Sequence, residues 1–379
     1  MIYDALVAGG GLAGSAVAIE LSRAGRSVVL LEREAGAHDK VCGEFLSFEA
    51  LQYLKPLGIV PATLGAVPLH SVRLAHKTRA TAAKLPFQAW SLSRRVLDEA
   101  LLQRAASEGV DVRRGVRVKA LAQHAELWSA TTEQGEPLQA YAAFLATGKH
   151  DLKDLKRGPG RQGDLIGFKM YWHLSPEQAR ELEGHVELAL FPSGYAGLQP
   201  VEGGRANLCL LVRARAFSDL ENSWQALCTK IKAACPHLAM RLDGAEPALA
   251  KPLAISSIPY GYVYELDECA GPLWRLGDQA AVIPSFSGDG MSIALHSARL
   301  AAHHYLSGSS ARDFQTELAG DVRRQIGRST RVSQALVTPW GQWGASVISR
   351  MAPPVLTKLA KLTRIPDRAL VRVQAAAGE

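Results

Sequence analysis

The chain lacks most of what would commit it to several common chemistries. Its 379 residues hold only five cysteines, Cys42, Cys209, Cys228, Cys235 and Cys269. They are odd in number, scattered and without a C-x-x-C pair, which points to a reduced interior and leaves no metal site, zinc included. No apolar run approaches the ~20 residues that cross a bilayer, and the first strand pattern starts by about the fourth residue, so no signal peptide is expected and the expected location is cytoplasmic. The net charge is +7, from 43 Lys+Arg against 36 Asp+Glu, and no basic block with interleaved aromatics occurs. Nucleic acid is therefore not an expected partner. G-x-S-x-G, H-E-x-x-H and P-loop patterns are missing, which removes support for hydrolase and kinase readings. There are no internal repeats and no low-complexity tracts. What remains is a chain 47% hydrophobic and 21% charged, of a length that suits two globular lobes.

The start, DALVAGGGLAGSAVAIELSRAGRSVVLLERE, reads as strand, glycine turn, helix and second strand. Gly9, Gly11 and Gly14 follow the apolar run Ala5 to Ala8 at G-x-G-x-x-G spacing. The first glycine permits the tight turn, the second lets backbone approach a pyrophosphate, and the third lets the helix pack on the strand. Phosphates then meet the helix N-terminus, where free N–H groups and the helix dipole favour negative charge. Gly25 caps the helix over Ala13 to Ala24. Glu32 ends the second strand roughly twenty residues beyond the glycines, where a ribose-binding acid belongs. The pattern is a dinucleotide-binding unit.

A second glycine-rich helix entry lies in WRLGDQAAVIPSFSGDGMSIALHSARLAA, with Asp278, Pro284, Gly288, Gly290 and a helix from about Met291. A chain binding only NAD has no need of it, whereas FAD is long enough to need supports at both ends. Asp278 can accept from ribityl hydroxyls, and the helix near Gly290 can aim its positive end at the flavin pyrimidine ring.

With two further blocks, DKVCGEFLS (Asp39 to Ser47) and SLSRRVLDEAL, the chain resembles the FAD-dependent oxidoreductases of the para-hydroxybenzoate hydroxylase fold, most of all their geranylgeranyl-reductase-like branch. The resemblance places Cys42 and Gly43 beside the flavin and Arg94 near the FAD phosphates. Motif and resemblance together give the expected cofactor-binding set: Gly9, Gly11, Gly14, Glu32, Arg33, Cys42, Gly43, Arg94, Gly148, Asp278, Pro284, Gly288, Gly290 and Met291. Three positions depart from the pattern. Thr147 stands where the hydroxylases carry an acid, Ser285 where they carry a second proline, and Gly197 where a tryptophan is usual in the cavity-roof strand GYAGLQPVEGGRANLCLLV.

The expected fold is α/β, with a discontinuous Rossmann-like FAD-binding domain (1–65, 90–165 and 260–335), a β-sheet substrate domain (66–89 and 166–259) and C-terminal helices (336–379). Arg94 to Ala106 and Leu220 to Ala233 look helical; Val110 to Val118 and Ala142 to Ala146 look like strands returning to the first sheet. Cys42, His173 and Tyr195 are the catalytic candidates, a thiol by the flavin and two groups on the cavity roof; Tyr171 and Trp172 are read as pocket lining. Glu44 reads equally as an acid or an exposed residue, and Tyr260 and Tyr262 as packing. His303 and His304 lie at the far end of their helix and read as structural. Val355, Leu356, Leu359 and Leu362 recur at helical spacing with Lys358 and Lys361 elsewhere. That helix either packs on the core with a solvated basic face or, with Trp340 and Trp343, closes an apolar tunnel or touches a membrane surface. The expected function is FAD-dependent oxidoreduction, NAD(P)H reducing the flavin, with hydride passed to or from a C=C bond of an apolar or aromatic substrate (isoprenoid or polyketide-like). Oxygen-dependent hydroxylation of such a substrate, and a non-catalytic flavin-binding redox sensor, are the alternatives.

Overall fold

The computed structural model describes residues 1–133, 135, 137–266 and 271–370. Cys269 and the last nine residues of the expected C-terminal segment lie outside the described residues. The chain runs β1 (Ile2–Ala8), α1 (Leu12–Arg23), β2 (Val28–Glu32), β3 (Phe45–Leu46), α2 (Phe48–Leu54), β4 (Val67–His76), β5 (Arg79–Ser91), α3 (Arg94–Ser107), β6 (Asp111–Arg114), β7 (Val118–His124), β8 (Leu127–Thr132) and β9 (Leu138–Leu145). It continues β10 (Leu165–His173), α4 (Pro176–Leu182), β11 (His185–Phe191), β12 (Gly194–Val201), β13 (Arg205–Arg213), α5 (Ala214–Ser218), α6 (Trp224–Ala234), α7 (Pro236–Arg241), β14 (Glu246–Pro247), β15 (Leu253–Ile255), β16 (Trp274–Arg275), α8 (Gly290–Leu306), α9 (Ala311–Leu336), α10 (Pro339–Met351) and α11 (Pro354–Leu362).

The first sheet has the order β6-β2-β1-β9-β8-β7, with β16 also on β9. Its β6, β2, β1, β9 and β16 pairings are parallel, so the strands are covered on both faces and read as near-continuous apolar runs. α1, α3 and α8 pack on one face, burying Leu12, Val17, Leu97, Leu101 and Ile293 in one core. Gly25, at φ +75, ends α1 in the left-handed conformation. One sequence expectation needs correction: the single strand over 110–118 is two, because Gly115 at φ +71 turns the chain. β7 then opens an antiparallel β7-β8-β9 meander that the sequence reading had not foreseen.

The second sheet has the order β14-β10-β13-β12-β11-β4-β5-β3, with β15 on β10. β4 and β5 thus join β10–β15. β3, from the N-terminal segment, pairs with β5 through Phe45↔Ser91 and Leu46↔Trp90. Alternation sorts the side chains: Phe168, Met170, Ala196, Leu198, Leu208 and Leu210 point to a core shared with Leu227, Ile231 and Leu238 of α6 and α7, while their neighbours face the other way. The single helix expected over 220–233 is interrupted, since Glu221 and Asn222 take positive φ and α6 starts only at Trp224.

Candidate flavin site and substrate cavity

The glycine turn is built as its spacing requires. Gly9 sits at φ +110 and a Cβ there would stand 2.4 Å from the Ala146 carbonyl oxygen; a Cβ on Gly14 would stand 1.8 Å from that of Gly9. Neither position admits a side chain. A Cβ on Gly11, by contrast, would meet only Arg94 Nη2 at 3.4 Å and Lys40 Nζ at 3.6 Å. Two cations therefore flank the helix N-terminus where a pyrophosphate would lie. Both are oriented by one carboxylate: Arg94 gives Asp98 a fork of 2.7 and 2.9 Å, and Lys40 donates at 2.8 Å. Burial opposes the Asp98 charge, but Arg94 and Lys40 outweigh it and hold its pKa below the usual range. Glu32 is buried and accepts from the Gly10 N–H at 2.8 Å and the Glu34 N–H at 2.9 Å, which fixes it at the strand end with lone pairs left for ribose hydroxyls. Arg33 lies beside it, paired with Glu34 at 3.0 Å.

The Asp39–Ser47 block crosses under the second sheet. Asn207 of β13 donates to the carbonyls of Cys42 and Gly43, both at 3.1 Å, and the Cys42 sulfur accepts from the Glu44 N–H at 3.3 Å. Glu44, at φ +61, is fully buried. It accepts from Lys169 Nζ, from Tyr171 Oη at 2.8 Å and from the Arg94 N–H at 2.8 Å. Desolvation raises its pKa despite the Lys169 charge. The exposed reading of Glu44 is thus overturned, and Tyr171 serves this cluster instead of lining a pocket.

On the far side, Gln279 donates to the Gly148 carbonyl at 2.8 Å and that of His150 at 3.2 Å, joining the expected Gly148 turn to the half-buried Asp278. Burial works against the Arg94 charge, yet Asp98 holds it above its ordinary value. Pro284 precedes a single turn over Ser285–Ser287, and Gly288 follows at φ +67, where a Cβ would stand 2.8 Å from Phe45. Gly290 and Met291 open α8. Asp289, before them, is fully buried and held by Gln325 at 3.1 Å and Arg364 at 3.2 Å; burial pushes its carboxyl up to about 7 against the Arg364 charge.

Between these two loops lies a predominantly apolar cavity. Gly43 and Ser285–Gly288 bound it on one side, Val72, Leu74, Phe87, Gly197 and Leu211 roof it, and Leu356, Leu359, Ala360 and Thr363 close it. Tyr195 lines it, its hydroxyl 3.3 Å from Ser333 Oγ. Gly197 leaves open space, the nearest atom to a Cβ there being 3.7 Å away.

Two placements differ from expectation. His173 is exposed at the far end of β10, paired with Glu246 of β14, and does not line the cavity; the strand carries its ring past the cavity's edge. Trp172 packs behind the sheet with the α6–α7 core, because alternation sends it to the opposite face. Tyr260 and Tyr262 pack in a buried cluster with Tyr195. His304 bonds to Glu317 at 3.0 Å, as a structural residue would. Sequence reasoning missed Lys169, Gln279, Asp289 and Arg364. Lys169 alone left a signal, a lysine inside the apolar strand IGFKMYW. Among the described residues no cluster of metal-binding side chains occurs and no helix is long and apolar enough to cross a membrane.

Residues 2–143 match the FAD binding domain family FAD_binding_3. The chain is 26% identical over 361 residues to a menaquinone reductase of Mycobacterium tuberculosis, covering 89% of this chain and 84% of that one. In structure it is similar to the myxobacterial chondrochloren halogenase CndH (TM-score 0.74, 19% identity, 99% and 96% covered). It is also similar to pqsL, a probable FAD-dependent monooxygenase of Pseudomonas aeruginosa (TM-score 0.68, 15% identity, 91% and 99% covered). Glycine turn, paired cations and second loop fit a cofactor as long as FAD, in keeping with the FAD-binding match over residues 2–143 and with the chain's similarity to FAD-dependent enzymes.

Proposed function

We propose that the protein passes hydride between FAD, reduced by NAD(P)H, and a C=C bond or quinone ring of an apolar isoprenoid or polyketide-like substrate, as a member of the geranylgeranyl-reductase-like branch. The observation that carries this reading is the cavity's chemistry. Among the described residues its one cationic lining residue, Arg364, is committed to Asp289, to the Ser287 carbonyl and to the Ala360 carbonyl. Among the described lining residues no free cation remains to select a small carboxylate, which favours recognition by apolar contact.

Bound FAD would supply the two-electron chemistry. Gly11, Arg94 and Lys40 would hold its pyrophosphate, Glu32 its ribose, Asp278 its ribityl chain, and the N-terminus of α8 would favour negative charge on its ring. The buried hydroxyl and thiol groups around the cavity stay protonated. Burial raises the Tyr195 and Tyr260 hydroxyls well above their ordinary values, and it pushes the Cys209 thiol up to about 12. All three keep their protons at neutral pH. They are weaker acids than usual and do not act as bases at that pH, so none of the three deprotonates a phenol for hydroxylation; Cys42 and Tyr195, the latter on the cavity wall, remain the candidates for proton transfer.

The test is anaerobic. Reduced holoprotein mixed with menaquinone, which carries both ring and isoprenoid chain, should recover oxidised-flavin absorbance while the product gains two hydrogens. Reoxidation by oxygen alone, with a product one oxygen heavier, would reverse the reading in favour of a monooxygenase. No NAD(P)H turnover with any such substrate would leave a redox sensor.

A further inference from the structure

α10 is built inside out for a helix in water. Its one-face series Trp340, Trp343, Val347 and Met351, with Ile348 beside it, is apolar. Trp340 and Met351 are each 83% exposed, Trp343 60% and Ile348 52%. The side turned inward carries Gln342 and Ser349, its only two buried residues. This orientation is not slack: Gln342 Nε2 reaches the carbonyls of Phe191 (2.7 Å), Gly194 (3.1 Å) and Leu336 (2.7 Å), and rotation to hide the tryptophans would forfeit all three bonds. α11 continues the surface. Leu356, Leu359, Ala360 and Thr363 face the cavity, while Val355, Lys358, Lys361 and Leu362 on its other side are exposed.

The charge of this region says what meets it. Between Asp321 and Asp367 the sequence contains eight basic residues and not one acidic residue, more positive charge than the +7 of the whole chain. Arg350, Lys358 and Lys361 flank the apolar stripe, exposed. A second copy docked through this face would set like charges against each other, whereas anionic lipid headgroups complement them. Exposed tryptophan with flanking lysine and arginine is the composition that rests at a bilayer interface without spanning it.

We infer that α10 and α11 seat the protein on an anionic membrane surface, so that the wall of the substrate cavity lies against the lipid phase from which an apolar substrate would enter. Binding needs no turnover, so its result stands apart from the reaction assigned above. The full-length holoprotein should sediment with vesicles of phosphatidylglycerol and phosphatidylcholine in equal parts and much less with phosphatidylcholine alone. The triple variant Trp340→Ser, Trp343→Ser, Met351→Ser should weaken vesicle affinity by about tenfold or more at unchanged flavin content and melting temperature. The pair Lys358→Glu, Lys361→Glu should weaken it by about tenfold as well, and added salt should reproduce that loss. Absence of sedimentation, or sedimentation indifferent to all these substitutions, would overturn the inference. So would self-association in gel filtration that the triple variant abolishes while vesicle binding is nil, which would assign the face to a second copy of the chain.

Discussion

Glu187 shows what a buried charge requires. It accepts from Arg73, from Arg241 at 3.1 Å and from His237 at 2.9 Å; burial opposes its ionisation, but these partners hold its carboxyl down at about 2. A carboxylate depressed from 4.5 contributes stability that is complete above that value and is lost as the pH falls toward 2. Glu187→Gln should therefore lower stability at neutral pH by about 3 kcal/mol, and its difference from the parent should shrink across that acid window, read as denaturant midpoints against pH. At the glycine turn, Arg94→Met should raise the dissociation constant for FAD by about tenfold or more, measured by flavin fluorescence, because Asp98 would then orient Lys40 alone. Gly9, Gly11, Gly14 and Glu32 were legible because each position is fixed by backbone geometry within one local unit. Lys169 and Arg364 were not, since their partners lie 125 and 75 residues away and only the fold brings them together.

At the scale of elements, periodicity carried the reading where one neighbour decides the structure and failed where the chain turns. α1 and α3 stand within a residue or so of the expected spans, their apolar faces meeting the first sheet. The stretch 110–118 broke at Gly115 and the stretch after Leu220 at two residues with positive φ, local conformations that an apolar pattern does not encode. β12 gives the most direct test of the cavity. Its Gly197 faces open space, so Gly197→Trp should fold and keep its flavin while filling the volume a substrate needs. On the proposed function, the expected outcome is a KM for long apolar substrates raised at least about tenfold, with flavin reduction by NAD(P)H unchanged in stopped-flow traces. Loss of flavin in that variant would mean that β12 supports the cofactor rather than the substrate.

Over the whole molecule, the sequence made visible that distant segments return to one nucleotide-binding sheet, because parallel strands and glycine entries mark themselves. It did not show how the sheets are tied. β3 reaches from the N-terminal segment into the second sheet, Lys169 of β10 meets Glu44, and Asn207 of β13 holds two consecutive carbonyls beneath it. Asn207→Leu leaves those carbonyls without a partner and should cost about 1–3 kcal/mol. On heating, flavin should then be released before far-UV dichroism is lost, where the parent protein should show one coincident transition.

The same fastening has a bearing on what can be accommodated. Asn207 and Lys169 bond directly to the Asp39–Ser47 segment, so that segment and the strands above it are clamped together with no gap between them, like the jaws of a closed vice. A guest therefore cannot part the segment from the sheet and has to lodge on the side of Gly43 and Ser285–Gly288, where the cavity opens.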